Sequence, residues 1–206
     1  VVGGRVPLLM RSLVLASFVG VSVGFAPALT KTPKARLLRA IQSGKSDEEI
    51  AQATTSLEWL NPARLSGSTA SDLLPGNWLM VYTTSASISG RNRPKFLQVS
   101  TPPEQFIDVA NLRAKNSEKV LGMQNAVDIA LKPATRNRVD VQFETFRLGP
   151  LAFPAPKVLT GSLTTTYLDE DLRISRGDKD NLFVLLRESN SRKLANRVWD
   201  GYRRSW

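Results

Sequence analysis

From Trp78 onward the pattern of large side chains changes to a period of two, which is the spacing of β-strands. The first run is the clearest, because the large side chains of Trp78, Met80 and Tyr82 stand at alternate positions. Further runs of strand character are Lys95–Ser100, Gln105–Ala110, Lys119–Gln124, Ala126–Leu131, Val139–Phe146, Val158–Tyr167, Leu172–Ser175 and Leu182–Arg187. Eight to nine short strands with turn residues between them predict a mainly β, antiparallel barrel or sandwich.

Helical spacing appears on both sides of the strands. Residues 31–62 hold two candidate helices, the first capped by Thr32-Pro33 and the second by Ser46 with Glu49 in capping-box spacing. We predict that these helices pack on a barrel domain at 73–189.

The tail at 190–206 combines an apolar helical stripe with many basic residues. It has two interpretations: a helix packed against the barrel with a solvated charged face, or a basic amphipathic helix on an anionic membrane. In the second case the membrane contacts would be Arg192, Lys193, Arg197, Trp199, Arg203, Arg204 and Trp206.

The segment at 1–30 is an uncharged stretch, Ser12–Leu29, preceded by Arg5 and Arg11. A basic start, an apolar middle and small residues predict a targeting presequence, with a membrane anchor as the alternative. Phe25-Ala26-Pro27, followed by a short basic stretch, resembles the bipartite presequences of algae with secondary, red-lineage plastids.

The absence of two residue types excludes several kinds of chemistry. With no Cys and no His, the chain has no disulfides, thiolate nucleophile, catalytic triad or imidazole metal site. Three adjacent acids at 169–171 are typical of a solvated or ion-paired turn, so we predict no metal there. We also predict no cofactor and, since Cys and His are missing, no enzymatic activity.

The net charge of +10 is concentrated at the two ends of the chain. Residues 1–46 carry +7, residues 47–186 carry −1 and residues 187–206 carry +4. This distribution argues against nucleic acid as a partner and leaves an anionic membrane surface as one.

Three segments carry a family resemblance. They are residues 74–85 with Gly76-x-Trp78, residues 105–108, and residues 165–179, Thr-Thr-Tyr-Leu-Asp-Glu-Asp-Leu-Arg-Ile-Ser-Arg-Gly-Asp-Lys. Together they resemble the plastid lipid-associated protein (fibrillin) family over about residues 34–189. The matching residues in the most specific segment are Tyr167, Leu168, Asp169, Asp171, Leu172, Arg173, Arg176 and Gly177. The chain departs from the family at Asp180, where Gly is frequent, which suggests a different turn type.

The resemblance implies a lipocalin-like barrel of about eight to nine strands, with two N-terminal helices and a short C-terminal helix. It also implies a place on thylakoids or plastoglobules and apolar partners: prenylquinones, carotenoids or acyl lipids. In lipocalin-type barrels an Arg near the last strand covers the Gly-x-Trp ring, so Gly76, Trp78 and Arg187 are expected to close the barrel.

The candidate ligand contacts are the large side chains expected to point into the barrel, although such residues often form only the core. They are Trp78, Met80, Tyr82, Phe106, Phe143 and Phe183. The leading hypothesis is a non-catalytic lipid-binding protein. The alternatives are a ligand-free structural subunit or assembly factor of a photosynthetic membrane complex and, more remotely, an enzyme acting on lipids.

Overall fold

The computed structural model describes residues 32–64 and 66–206, so the predicted targeting segment at 1–30 lies outside it. This part of the chain forms one antiparallel sheet of nine strands: β1 Gly76–Thr83, β2 Glu104–Asp108, β3 Arg113–Val120, β4 Met123–Pro133, β5 Arg138–Leu148, β6 Leu151–Pro154, β7 Thr160–Leu168, β8 Leu172–Gly177 and β9 Leu182–Arg187. Eight strands close into a barrel in the order β4-β3-β2-β1-β9-β8-β7-β5, because β5 pairs back onto β4. The short β6 lies outside this ring, on the edge of β5.

The barrel has two ends that differ in what they hold. The lower end contains the start of β1 and the turns that join β2 to β3 and β7 to β8. The upper end contains the β3–β4, β5–β6 and β8–β9 turns. The first and last strands of this part of the chain, β1 and β9, are neighbours in the barrel, and Trp78 of β1 stands opposite Arg187 of β9.

Four helices accompany the sheet in the described residues: α1 Pro33–Gln42, α2 Asp47–Glu58, the single turn α3 Ala86–Ser89, and α4 Glu188–Arg203. The predicted caps are present, since the Thr32 side chain accepts the Ala35 N–H and Ser46 forms a capping box with Glu49. The predicted mainly β barrel with two N-terminal helices and one C-terminal helix is therefore confirmed. No helix in the described ranges has the length and apolar character needed to cross a bilayer.

Helix α4 follows β9 directly and packs over β1 and β9. Val198, Trp199 and Tyr202 are buried beneath it, and the Tyr202 hydroxyl donates to the Thr83 carbonyl at 2.6 Å. The helix also crosses the end of α1 at Gly201, where any side chain would overlap the Gln42 carbonyl oxygen. Glycine is required there by this close approach.

Two local predictions were wrong. Lys95–Ser100 contains a single 3-10 turn rather than a strand; it lies between Pro94 and Pro102-Pro103, which lack the N–H groups that a strand ladder needs. Asp180 does not imply a different turn, because it adopts φ +55°, the left-handed conformation that a Gly there would also supply.

Candidate ligand-binding site in the barrel

The lower end of the barrel is filled by Trp78, whose side chain is fully buried (0% exposed). Its indole N–H donates to the Leu74 carbonyl at 2.9 Å. The guanidinium carbons of Arg187 and Arg173 lie 4.3 and 5.0 Å from the centre of its ring. This end is a packed plug, held by burial and by cation–π attraction.

Arg187 fixes this plug to the surrounding backbone. Its guanidinium donates to the carbonyl oxygens of Glu170, Pro75 and Leu73. Gly76 has φ +114°, and a Cβ there would lie 3.2 Å from the Arg187 Nη1. The structure thus brings Gly76, Trp78 and Arg187 together at the closed end.

Arg173 lies inside the barrel and is only 1% exposed. Its guanidinium donates to the Gln105 side-chain oxygen, and among the described residues its Nε has no hydrogen-bond partner. Burial, and then the nearby charge of Arg187, lower the pKa of Arg173 to about 9, which leaves it charged at neutral pH. Arg173 therefore gives the lower interior a positive charge.

Above the plug, β4, β5 and β6 present apolar side chains on the inner face of the sheet. Opposite residues share a face, and the observed pairs are Val127 with Phe146, Phe146 with Phe153, and Leu148 with Leu151. We call this set the upper apolar wall; it comprises Met123, Val127, Phe143, Phe146, Leu148, Leu151 and Phe153.

The upper apolar wall is accessible, in contrast to the plug. Each of its residues is partly or largely exposed. The rings of Phe143 and Phe146 stack with their centres 6.5 Å apart and their planes inclined by 11°. An apolar chain could lie along these rings.

Three predicted interior residues lie on the inner face. Met80 is buried and pairs with Leu185, Phe183 is partly buried and pairs with Ser175, and Phe143 belongs to the upper apolar wall. Trp78 is also on this face, but it belongs to the plug.

The prediction that Tyr82 points into the barrel was wrong, because this residue lies on the outer face beneath α4. The register of β1 shifts between Met80 and Tyr82, so a β-bulge at Val81 reverses the alternation. The Tyr82 ring lies 5.0 Å from that of Tyr202, and its hydroxyl donates to Asp47 at 2.6 Å. Burial, together with the Asp47 carboxylate, raises the pKa of Tyr82.

Phe106 is the second correction. It stands opposite Asn77 and Lys115, and it is 46% exposed on the outside of the barrel. Gln105 and Ile107 take the inward positions instead, since Gln105 contacts Arg173 and Ile107 is buried.

Phe146 is a wall residue that the sequence analysis missed. The register between β4 and β5 shifts after Asp128, which brings both Phe143 and Phe146 to the inner face although they are three positions apart. The spacing of Val141, Phe143 and Phe146 was the available signal for this bulge.

The most specific family segment runs from the end of β7, through the β7–β8 turn at the lower end of the barrel, to the start of the β8–β9 turn at the upper end, and it does not contribute to the upper apolar wall. Asp169 organises its turn: one carboxylate oxygen accepts the N–H groups of Asp171 and Leu172, at 2.8 and 2.7 Å, and the other accepts the Tyr167 hydroxyl and Lys34. Burial opposes the charge of Asp169, but these four donors outweigh it and lower its pKa.

Of the other residues of this segment, Arg176 joins the barrel to α2, and Leu168, Leu172 and Gly177 pack within the barrel. Arg176 binds Glu58 through two hydrogen bonds of 2.9 and 3.1 Å, while Leu168 and Leu172 are fully buried. Gly177 passes Phe183 so closely that a Cβ would lie 3.3 Å from its ring. These residues therefore have structural roles.

Replacing Asp169 with Asn should lower the free energy of unfolding by about 1–2 kcal/mol at pH 7 and by much less near pH 3. The folded carboxylate has a depressed pKa, so it stabilises the protein above the unfolded-chain value near 4, and this contribution is lost as the pH falls through the folded pKa. Urea unfolding at both pH values measures it. Glu170→Gln, an exposed neighbour in the same turn, is the control; an equal loss in both variants would contradict the role of Asp169.

The tail packs against the barrel, which is the first of its two predicted interpretations, and the burial of Trp199 contradicts a membrane contact by that residue. Trp199 is buried, and Trp206 packs edge-on against Trp199 and Tyr202. Arg192 is paired with Glu188 and Glu104, and Arg203 donates to the Ser100 carbonyl, whereas Lys193, Arg197 and Arg204 are exposed.

The rest of the described surface offers no clearer candidate for a ligand or metal site than the upper apolar wall. A groove of about 640 Å³ where β4, β5 and β7 meet has four charged residues in its lining: Lys132, Arg138, Asp140 and Asp178. Among the described residues there is no cluster of three or more side chains suited to a metal ion.

Comparisons with known proteins find one family and several relatives. The PAP_fibrillin family model matches residues 30–186. A relative from Arabidopsis thaliana, "Probable plastid-lipid-associated protein 5, chloroplastic", is 36% identical over 138 residues, which are 66% of this chain and 57% of the relative. The chromoplast-specific carotenoid-associated protein of Cucumis sativus is 30% identical over 201 residues, covering 69% and 61% of the two chains.

A shorter match concerns plastoglobulin-1 of Pisum sativum, which is 63% identical over 43 residues, 20% of this chain and 12% of the relative. The chain spans about 60% of the length of the two longer-matching relatives. No solved structure matches it. Since the family model covers most of the barrel and both N-terminal helices, the chain belongs to the PAP/fibrillin family.

Proposed function

We propose that this protein is a non-catalytic plastid protein that holds an apolar lipid against the upper apolar wall. The observation that carries the proposal is the stacked pair of Phe143 and Phe146, which lies inside the barrel and is nevertheless partly exposed. Burial of a prenyl or acyl chain there would contribute about 25 cal/mol per Å² of apolar area. Prenylquinones, carotenoids and acyl lipids all offer such a chain.

The relatives support both the ligand class and the compartment. Their names associate them with plastid lipids, with carotenoids and with plastoglobules. The presequence-like residues 1–30 support the same organelle, and Phe25-Ala26-Pro27 supports a secondary, red-lineage plastid.

The arrangement of the acidic residues supports a non-catalytic role. Arginines pair with three acids of β4 and β5, and Asp108 of β2 accepts the backbone and side-chain N–H groups of Asn111. The pairs are Asp128 with Arg147, Asp140 with Arg138, and Glu144 with Arg113. A carboxylate held in this way is a poor general acid or base, and the chain has no His or Cys to replace it.

The filled lower end favours a second function, that of a ligand-free structural subunit or assembly factor of a photosynthetic membrane complex. In that case the upper apolar wall would be covered by a protein of the complex. The two functions differ in whether the isolated protein carries lipid.

Mass spectrometry of the lipids that co-purify with the protein tests the proposal. We expect the wild type to retain a prenyl or acyl lipid, and Phe143→Ser combined with Phe146→Ser to reduce its affinity about tenfold, because most of the aromatic contact area is lost. Phe106→Ser, the same change on the outer face, should leave binding unchanged. A wild type without lipid would favour the structural subunit.

A further inference from the structure

The tips of two neighbouring hairpins at the upper end of the barrel are apolar and exposed. We call residues 120–124 and 147–151 the hairpin rim. Leu121, Met123, Leu148 and Leu151 are each more than half exposed. The Gly149 N–H donates to the Gln124 carbonyl at 3.2 Å, so the two tips lie side by side and form one surface. Adjacent exposed apolar side chains of this kind mark an interaction surface.

The backbone of the β3–β4 turn makes Leu121 unusual. Leu121 and Gly122 are the central residues of a two-residue turn and have φ +51° and +78°. Asn-Gly is the favoured pair for such a turn, whereas a left-handed Leu is strained. The strained residue is also 64% exposed, so its side chain gains little from packing within the protein. Leu112 shares this conformation, so the feature that distinguishes Leu121 is its place beside the other exposed apolar residues of the rim.

The charge around the rim indicates what that surface meets. Residues 119–127 and 145–168 contain no acidic side chain. They contain two exposed lysines, Lys119 beside the β3–β4 turn and Lys157 in the loop after β6, whereas Arg147 is paired with Asp128. Projecting apolar tips flanked by cations suit an anionic lipid surface, where the tips enter the acyl region and the lysines reach the headgroups.

We propose that the hairpin rim docks the protein onto an anionic lipid surface, with Leu121 and Leu151 in the acyl layer. Met123, Leu148 and Leu151 belong both to the rim and to the upper apolar wall, so docking would set the open side of the wall against the lipid. This proposal goes beyond the proposed ligand, because it concerns the surface that meets lipid and holds whether or not the barrel is loaded.

Vesicle binding of the full chain tests the proposal with a matched pair of variants. Leu121→Asn should weaken partition onto phosphatidylcholine vesicles containing phosphatidylglycerol by about tenfold, while relief of the turn strain raises Tm by about 1–3 °C. Leu112→Asn is the control: Leu112 has φ +52°, is 42% exposed and lies at the opposite end of β3. It should show the same rise in Tm with unchanged partition.

A second measurement reports position directly. The chain has no cysteine, so Leu121→Cys and Leu112→Cys each accept a single polarity-sensitive fluorophore. Vesicles should shift the emission of the label at 121 to the blue and leave the label at 112 unchanged. This readout is independent of any vesicle contact made by residues 1–31.

Several outcomes would overturn docking by the rim. They are a wild type that does not bind vesicles, equal losses of partition in the Leu121 and Leu112 variants, or a label at 121 that vesicles do not affect.

Two further outcomes would assign the role elsewhere. Concentration-dependent dimers that Leu121→Asn abolishes, without vesicle binding, would assign the rim to a second copy of the chain. The double variant Lys193→Gln, Arg197→Gln should partition onto vesicles as the wild type does. A larger loss of partition in this variant than in Leu121→Asn would mean that the tail, and not the rim, docks the protein. Lipid retention by the barrel is measured separately and can stand or fail independently.

Discussion

Replacing Trp78 with Ala should lower the free energy of unfolding by about 3–5 kcal/mol, the range for deletion of a buried Trp side chain. The indole fills the lower end of the barrel, donates to the Leu74 carbonyl and lies within 5.0 Å of the Arg173 guanidinium carbon. The variant leaves a cavity beside the buried Arg173 and the half-buried Arg187, and both guanidinium groups lose their aromatic neighbour. Urea unfolding, followed by circular dichroism, measures the change.

The control for this prediction is Trp59→Ala. Trp59 stands at the end of α2 and is 70% exposed, so its truncation should cost less than about 1 kcal/mol. Similar losses in the two variants would contradict the view that Trp78 closes the barrel. A folded Trp78→Ala protein that still retained lipid would place the ligand above the plug, as proposed.

Replacing Trp199 with Ala should also cost about 3–5 kcal/mol. Its side chain is fully buried between α4 and the barrel, and Tyr202 and Trp206 both pack against its ring. The same unfolding experiment measures this loss. A Trp that served as a membrane anchor would instead give a variant of normal stability with weakened vesicle binding.

The exposed face of the same helix supplies the control. Lys193→Gln combined with Arg197→Gln should change stability by less than about 0.5 kcal/mol, because both side chains are exposed. A loss comparable with that of Trp199→Ala would mean that the charges, rather than the aromatic contacts, hold α4 in place.

The existence and class of the elements could be predicted from the sequence, because alternating apolar residues and cap residues act locally. The orientation of single side chains could not. A bulge at Val81 turns Tyr82 to the outer face. The contacts of Tyr82 with Tyr202 and Asp47, which are distant in the sequence, stabilise this orientation. At 106–107 two adjacent apolar residues, Phe and Ile, compete for the inward position, and the pattern does not decide between them.

The tail illustrates a different limit. Its periodicity predicts an amphipathic helix, and α4 is one. An apolar helical face is equally suited to protein and to lipid, so only the observed burial of Val198, Trp199 and Tyr202 decides between the two interpretations. The hairpin rim is the converse case. Leu121 lies in the β3–β4 turn and Leu151 at the start of β6, and they become parts of one surface only because the two hairpins lie side by side.

The pairing of β1 with β9 has a consequence for how the protein is made. Strands β2 to β5 and β7 to β9 can form from neighbouring segments as they leave the ribosome, but β1 keeps one edge unpaired until β9 has been synthesised. The Tyr202 bond to Thr83 then joins residues 119 positions apart. Contacts of such separation form slowly, and an apolar strand with an open edge aggregates easily in the meantime. Pairing of β1 with β9 and docking of α4 are therefore expected to be the last and slowest steps of folding, and β1 is exposed to aggregation until they are complete.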